Sequence, residues 1–168
     1  MMHGDERLST GRSMHQTCSR RCGASRLAVS GEPMGRFYCH CMICQAVYKQ
    51  PYADVTAFPA RAVTLTGEGA LTFRRYRPPL ALDRGRCPVC SAPVVAFMAL
   101  GPLKMFAFAP SQNFERQSEL PQASLHVFYH RRVVDVTDSL PKVSGYWASG
   151  AALSRLIFGG MMGARRAA

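Results

Sequence analysis

The chain has 168 residues, 48% of them hydrophobic and 18% charged, and its formal net charge is +11. This length favours one domain, and the composition excludes an intrinsically disordered chain because it supplies enough apolar surface for a core. An odd number of cysteines, seven, argues against a disulfide framework and favours metal ligation in a reducing compartment. Residues 1–17 show no secretory signal and no apolar run approaches the roughly 20 residues of a membrane span, so a cytoplasmic location is predicted.

The pattern along the chain predicts a disordered leader at 1–16, a β domain at 17–143 and a C-terminal tail at 144–168. Within the domain, β-branched and aromatic runs punctuated by Gly and Pro predict seven or eight short strands. These strands span 26–30, 52–58, 63–66, 71–76, 93–99, 104–109, 125–129 and 133–136. One helical turn is predicted at 44–48, so the predicted fold class is mainly β with few short helices.

The tail contains a predicted helix on which Ala151, Leu153, Leu156 and Ile157 share one apolar face. Such a face is typical of a helix docked on its own domain or of a frayed terminus. The alternative is a contact with a membrane surface or with a second copy of the chain. The sequence does not predict the oligomeric state.

The seven cysteines fall in three short clusters. The clusters are Cys18-Ser-Arg-Arg-Cys22, Cys39-His-Cys41-Met-Ile-Cys44 and Cys87-Pro-Val-Cys90. Thiolates two to four residues apart can converge on one tetrahedral ion, with zinc–sulfur bonds of about 2.3 Å. Four thiolates close a structural site, whereas three leave the open position that a catalytic zinc needs. We therefore predict two zinc ions per chain.

The two predicted sites leave alternatives open. Cys87 and Cys90 form a zinc knuckle whose partner pair is Cys18 and Cys22, unless Cys18 is a free thiol and another donor takes its place. Cys39, Cys41 and Cys44 can bind one ion from a single turn, with the fourth corner free. The alternatives for this cluster are a closed site completed by a histidine, and buried cysteines without metal. The histidines considered for the closed site are His126 and His130.

The order of these motifs resembles the glutathione-dependent formaldehyde-activating enzyme family, which also includes centromere protein V. The matching pieces are Cys22-Gly-Ala, Gly31-Glu-Pro, Cys39-His-Cys-Met-Ile-Cys44, Phe58-Pro, Leu65-Thr-Gly-Glu, Cys87-Pro-Val-Cys90, His126-Val-Phe-Tyr and Asp138-Ser-Leu-Pro. The resemblance covers residues 18–143. It implies a tent-like stack of antiparallel sheets that zinc stabilises, with a structural zinc on the outer cysteines and a catalytic zinc on Cys39, Cys41 and Cys44.

The chain departs from the family pattern at three positions. Arg20 stands where the family has a cysteine, so Cys18 must substitute if the structural site is complete. Ser91 replaces the glycine that usually follows the knuckle, which predicts a less relaxed turn because glycine tolerates positive φ. Gln45 replaces an arginine that often follows the central cluster, which raises the prospect of a different thiol substrate.

The resemblance implies a zinc-dependent carbon–sulfur lyase acting on a thiol/aldehyde adduct, with glutathione plus formaldehyde giving S-hydroxymethylglutathione. His40, His126 and Tyr48 are the candidates for a general base, although each side chain also suits a structural role. The alternative is a non-catalytic, zinc-stabilised module that contacts nucleic acid or an acidic partner. Scattered arginines disfavour the nucleic-acid interpretation, because they form no basic tract. A redox role is disfavoured because no βαβ pattern surrounds either Cys-x-x-Cys pair.

Overall fold

The computed structural model describes residues 14–19, 22–66, 71–77 and 82–166, and it describes side chains from Cys22 to Gly163 within those ranges. Ten strands and two α-helices lie in the described part of the chain. The strands are β1 Met14–Ser19, β2 Arg26–Gly31, β3 Gly35–Cys39, β4 Ala53–Pro59, β5 Val63–Leu65, β6 Thr72–Arg74, β7 Leu82–Arg86, β8 Pro93–Leu100, β9 Leu103–Pro110 and β10 Ala123–Val127. The helices are α1 Met42–Tyr48 and α2 Tyr146–Arg166.

The strands form two sheets, which confirms the prediction of a mainly β fold. The small sheet has the order β1-β2-β5, and the large sheet has the order β10-β3-β4-β9-β8-β7-β6. Neighbouring strands are antiparallel except β10, which runs parallel to β3 at the edge of the large sheet. This edge brings the end of β3, with Cys39, beside Val127 at the end of β10.

The two faces of the large sheet carry two separate cores. Alternate residues of a strand point to opposite faces, and the burial follows this rule. Phe58 and Phe97 pack with Leu27 of the small sheet, whereas their neighbours Ala57 and Ala96 pack with the helices on the other face. The large sheet is therefore the middle layer, and the helical face is the one that holds the central cysteines.

Helix α2 docks closely on this face and is longer than the short helices that the sequence predicts. A Cβ atom at Gly160 would lie 2.1 Å from the carbonyl oxygen of Met34, so only glycine permits this approach. At the other end of the helix, the buried Ser149 hydroxyl accepts a 2.8 Å hydrogen bond from the Phe128 amide. Ile157 is buried and Ala151 is exposed, so the apolar face lies near the predicted one but without Ala151.

The strand predictions differ from the structure in four places. Residues 133–136 are irregular rather than a strand, and the Val133 and Val134 side chains are 65% and 54% exposed. Strands β1, β3 and β7 were not predicted from the sequence. Strand β1 begins at Met14, inside the predicted leader, while residues 1–13 lie outside the described residues. No helix in the described ranges combines the length and apolarity needed to cross a membrane.

Candidate functional site

The structure brings Cys39, Cys41 and Cys44 together at the start of α1, and we call them the central triad. Cys39 ends β3, Cys41 caps the helix and Cys44 lies in its first turn. Their Sγ atoms all lie within 4.8 Å of one another. The Cys44 amide donates a hydrogen bond of 3.4 Å to the Cys41 Sγ. A β-strand that ends where a helix begins thus gathers three thiols into one turn of chain.

The central triad favours one thiolate flanked by two thiols. Hydrogen bonds from Cys39 and then Cys44 lower the pKa of Cys41 to about 3. Hydrogen bonds to Cys41 and Cys44, together with burial, raise the pKa of Cys39 well above its ordinary value. For Cys44, the hydrogen bond with Cys39 lowers the pKa, but that with Cys41 and burial outweigh it and raise the pKa to about 12. The cluster therefore carries a single negative charge, on Cys41, and a bound cation would favour the thiolate form of all three sulfurs.

The donor set of the central triad fits three corners of a tetrahedral zinc site. Zinc–sulfur bonds of about 2.3 Å place ligand sulfurs about 3.8 Å apart, and thiolates are among the ligands zinc prefers. No histidine joins this cluster among the residues that the structure describes. Both nitrogens of His126 have other partners, and His130 Nδ1 accepts a hydrogen bond from the Gly145 amide. The structure thus gives no support to a site closed by either histidine.

The second cluster consists of Cys22, Cys87 and Cys90, and we call it the outer triad. The Cys22 Sγ lies 3.6 Å from the Cys87 Sγ and 3.3 Å from the Cys90 Sγ. Cys87 is buried, whereas Cys22 and Cys90 are exposed. Both triads could hold a metal ion and are compatible with zinc. Cys18 lies in β1 opposite Leu27, but its side chain lies outside the described residues.

The knuckle of the outer triad contains the strain that the missing glycine predicts. Ser91 has φ of 57°, in the left-handed region that side chains disfavour. The turn is nevertheless closed by two backbone hydrogen bonds of 2.9 Å, from the Ser91 amide to Cys87 and from the Cys87 amide to Ala92. Burial alone would raise the pKa of Cys87, but the nearby Ser25 side chain and the backbone amides of Cys90 and Val89 outweigh it and lower the pKa to about 6.

A cavity of about 630 Å³ adjoins the central triad, and all three of its cysteines line it. The large sheet forms one wall through β3, β4, β7, β8 and β9, and helices α1 and α2 form the other. None of the outer cysteines is among the lining residues. The two triads therefore differ in setting, because the central one lines this cavity and the outer one does not.

Arg84 places a buried positive charge in this cavity. The residue is 8% exposed, and its Nη2 lies 4.0 Å from the Cys44 Sγ. Its guanidinium also lies 5.8 Å from the ring centroid of Tyr76. Among the side chains that the structure describes, no carboxylate forms an ion pair with Arg84. Its natural counter-charge is therefore the thiolate cluster or a ligand in the cavity.

Behind the central triad, His40, His126 and Asp138 form a hydrogen-bonded chain. His40 Nε2 lies 2.9 Å from His126 Nδ1, and His126 Nε2 lies 2.9 Å from Asp138 Oδ2. The hydrogen bond with His126, together with Lys142, lowers the pKa of Asp138 to about 2, so the carboxylate accepts. His126 then donates through Nε2 and accepts at Nδ1 from His40. Burial lowers the pKa of His40 to about 4, which keeps that ring neutral.

Three further hydrogen bonds fix the loop between Cys39 and Cys41, the first two cysteines of the central triad. The His40 amide donates to Val127 at 3.0 Å, and the Gln45 side chain donates to the His40 carbonyl at 2.6 Å and to the Arg131 carbonyl at 2.8 Å. Gln45 is thus occupied with backbone groups and does not line the cavity.

Of the three candidate bases, only Tyr48 lines the cavity, and loss of water around its hydroxyl raises its pKa well above the ordinary value. The role of Arg84 in the site was not predicted from the sequence, because no motif distinguishes it from the other arginines. Asp138 was also not predicted as the partner of His126, although the Asp-Ser-Leu-Pro segment marked the position.

Comparison with known protein families matches residues 13–131 to the glutathione-dependent formaldehyde-activating enzyme family. The chain belongs to this family. The match covers both triads and ends before α2, so the helix that closes the cavity lies beyond it. A search of curated proteins returns no significant match. Family membership supports a function related to glutathione and formaldehyde.

Proposed function

We propose that the protein is a zinc-dependent carbon–sulfur lyase-type enzyme that acts on a thiol/aldehyde adduct, with glutathione and formaldehyde as the substrates that the family suggests. The observation that carries the proposal is the position of the central triad, because its three sulfurs lie within 4.8 Å of one another and all three cysteines line the cavity. A metal held by Cys39, Cys41 and Cys44 would keep its fourth corner on the cavity side. A non-catalytic binding module would not need such an arrangement.

The proposed reaction is reversible and needs no oxidant. In the addition direction, the thiol sulfur forms a bond to the aldehyde carbon, the carbonyl π bond breaks and the thiol proton ends on the oxygen. The lyase direction reverses each change. When bound, zinc would favour the thiolate form of the substrate and act as a Lewis acid toward the carbonyl oxygen.

The chain's own residues would hold the metal and balance its charge. Three thiolates and one divalent cation carry a net charge of −1, which the buried guanidinium of Arg84 offsets. His40 and His126 do not line the cavity, so we assign them to positioning the Cys39–Cys41 loop rather than to proton transfer. Apolar walls exclude water and thereby strengthen the electrostatic interactions within the site.

The outer triad is proposed to hold a structural zinc through Cys22, Cys87 and Cys90, with Cys18 as the fourth ligand expected from the sequence. Cys22 lies 65 residues from Cys87, so an ion there would link the start of β2 to the β7–β8 turn. A cross-link of that span removes loop-closure entropy from the unfolded chain, worth about 4 kcal/mol. Domain 17–143 would therefore depend on this metal for part of its stability.

The test is the rate at which the zinc-loaded protein exchanges formaldehyde with its thiol adduct, measured by ¹³C exchange spectroscopy. Because adducts form without an enzyme, the readout is acceleration above the uncatalysed rate. The thiol is glutathione in the first experiment and mercaptohexanol, a thiol with an apolar chain, in the second. We expect acceleration that Cys41→Ser abolishes while the outer zinc and the circular dichroism spectrum are retained. Fully loaded protein that accelerates exchange with neither thiol would contradict the proposal.

A further inference from the structure

The cavity beside the central triad has walls that are mostly apolar, and the uncharged polar side chains other than cysteine among them are those of Tyr48, Tyr146 and Ser154. Sheet residues such as Phe37, Val55 and Phe108 face helix residues such as Val47, Leu153 and Ile157 across it. The charged residues that line it within the described ranges are two arginines, Arg77 and Arg84. No Asp, Glu, Lys or His of the described residues lines it.

These walls match glutathione poorly. Glutathione carries two carboxylates, one ammonium and two amide groups, and each loses water when the ligand is buried. A buried polar group without a partner costs about 1–3 kcal/mol, and an unpaired charge costs more. Arg84 lies 4.0 Å from the Cys44 Sγ, which leaves Arg77 as the other guanidinium for two carboxylates, and no described carboxylate lines the cavity to pair with the ammonium.

Helix α2 supplies part of the cavity wall. The helix contributes Tyr146, Gly150, Leu153, Ser154 and Ile157 to the cavity, and the residues 13–131 that match the family end before it. Phe128 adds a ring to the same wall with φ of 54°, a conformation that bulky residues rarely adopt. Gln45, where the family often has arginine, is held by backbone carbonyls outside the cavity. The position that follows the central cluster therefore adds no positive charge to the cavity.

We propose that the cavity selects a thiol, or the aldehyde adduct of a thiol, with an extended apolar body and no ammonium group. This inference rests on the proposed function, since it assumes that the thiol sulfur meets a metal at the central triad. The volume of about 630 Å³ lies within the range of ligand pockets and leaves room for a body much larger than the reacting carbon and sulfur. Hydrophobic burial then supplies the binding energy at about 25 cal/mol per Å² of apolar surface.

The test uses the full chain loaded with cobalt, whose thiolate charge-transfer band reports a sulfur that joins the metal. Three thiols are titrated: mercaptohexanol, mercaptohexylamine and glutathione. The first two differ in carrying a hydroxyl or an ammonium on the same apolar chain. We expect mercaptohexanol to bind at least about tenfold more tightly than either of the others, because one unpaired charge is worth more than a factor of ten.

A pair of variants on α2 locates the binding site. Leu153→Asn places an amide in the cavity wall and is expected to weaken mercaptohexanol binding about tenfold, through loss of apolar contact with one half-buried leucine. Met162→Asn alters a side chain that is 62% exposed on the same helix and is expected to leave all three affinities unchanged.

The outcomes separate the inference from the function on which it rests. If glutathione binds as tightly as mercaptohexanol or more tightly, the selectivity is overturned while the enzyme proposal stands. Equal binding of the hydroxyl and ammonium thiols also overturns it. If no thiol alters the spectrum of the loaded protein, the open metal position fails, and the inference fails with it.

Discussion

His40 Nε2 lies 2.9 Å from His126 Nδ1, and neither imidazole has any exposed surface. His40 stands between two cysteines of the central triad, and His126 stands on β10 and is anchored to Asp138 at 2.9 Å. The two hydrogen-bonded rings therefore link the segment 138–143 to the loop that carries Cys39 and Cys41. Residues that support metal ligands commonly set the orientation of those ligands. We therefore expect the contact between the two histidines to increase the metal affinity of the central triad.

Removing the second histidine is expected to loosen the central triad. His126→Leu leaves the buried Nε2 of His40 without a partner, which costs about 1–3 kcal/mol of unfolding free energy. We expect zinc affinity at the central triad to fall about tenfold while the outer triad is unaffected. Competition with a chromophoric chelator measures both sites. His130→Leu, at an exposed residue, is the control, and equal losses in the two variants would refute a special role for His126.

The Asp138 carboxylate is expected to make stability depend on pH. Its pKa is lowered to about 2 in the folded protein, against an ordinary value of 3.8, so the folded state favours the charged form. The resulting stability is present above pH 4 and is lost as pH falls toward 2. Urea unfolding between pH 3 and 7 should show Asp138→Asn less stable by a constant amount above about pH 5, with the gap closing below pH 4. A gap of the same size at every pH would show that the shift is absent.

Two adjacent glycines of α2 should respond in opposite directions to alanine. At Gly159 a Cβ meets nothing within 4 Å, so Gly159→Ala should stabilise by about 1 kcal/mol through helix propensity. At Gly160 the Cβ would lie 2.1 Å from the Met34 carbonyl oxygen, so Gly160→Ala should destabilise by about 1–3 kcal/mol. Thermal unfolding of the two variants compares them directly. Stabilisation by both would mean that α2 is not docked on β3 as described.

The left-handed serine of the knuckle offers a simple gain in stability. Ser91 has φ of 57°, which costs about 1 kcal/mol for a residue with a side chain and nothing for glycine. Ser91→Gly should raise the unfolding free energy by up to about 1 kcal/mol, partly offset by the freer unfolded chain. Ser124→Gly, in the exposed part of β10, should instead lower it by about 0.5–1 kcal/mol. Destabilisation at both positions would contradict the strained turn.

The local motifs were predictable from the sequence, whereas the surroundings of the site were not. Cys39, Cys41 and Cys44 lie within six residues, so their spacing alone brings them together, and the Cys-x-x-Cys knuckle is equally local. The partners of His126 were not visible because hydrogen bonding to His40 depends on the parallel pairing of β10 with β3. The isolation of Arg84 is likewise a tertiary property.

The missed and wrong strands have similar causes. Strand β7, with the sequence Leu-Asp-Arg-Gly-Arg, lacks an apolar alternation because Arg84 takes an inward position that a hydrophobic residue would usually occupy. Residues 133–136 have the β-branched composition of a strand but follow the turn at Tyr129–Arg131, and Val133 and Val134 remain exposed. Composition alone does not distinguish these cases, because pairing with a neighbour decides them.

The most direct test of an open metal position at the central triad is the absorption spectrum of the cobalt-loaded protein before and after saturation with mercaptoethanol. This thiol is so small that the shape of the cavity should not restrict its binding. We expect two cobalt ions per chain and a rise in thiolate charge-transfer intensity equal to one added cobalt–sulfur bond. The rise should disappear in Cys41→Ser, which locates it at the central triad rather than the outer one. Unchanged intensity with both sites filled would contradict the account, because it would mean that the central metal has no open corner.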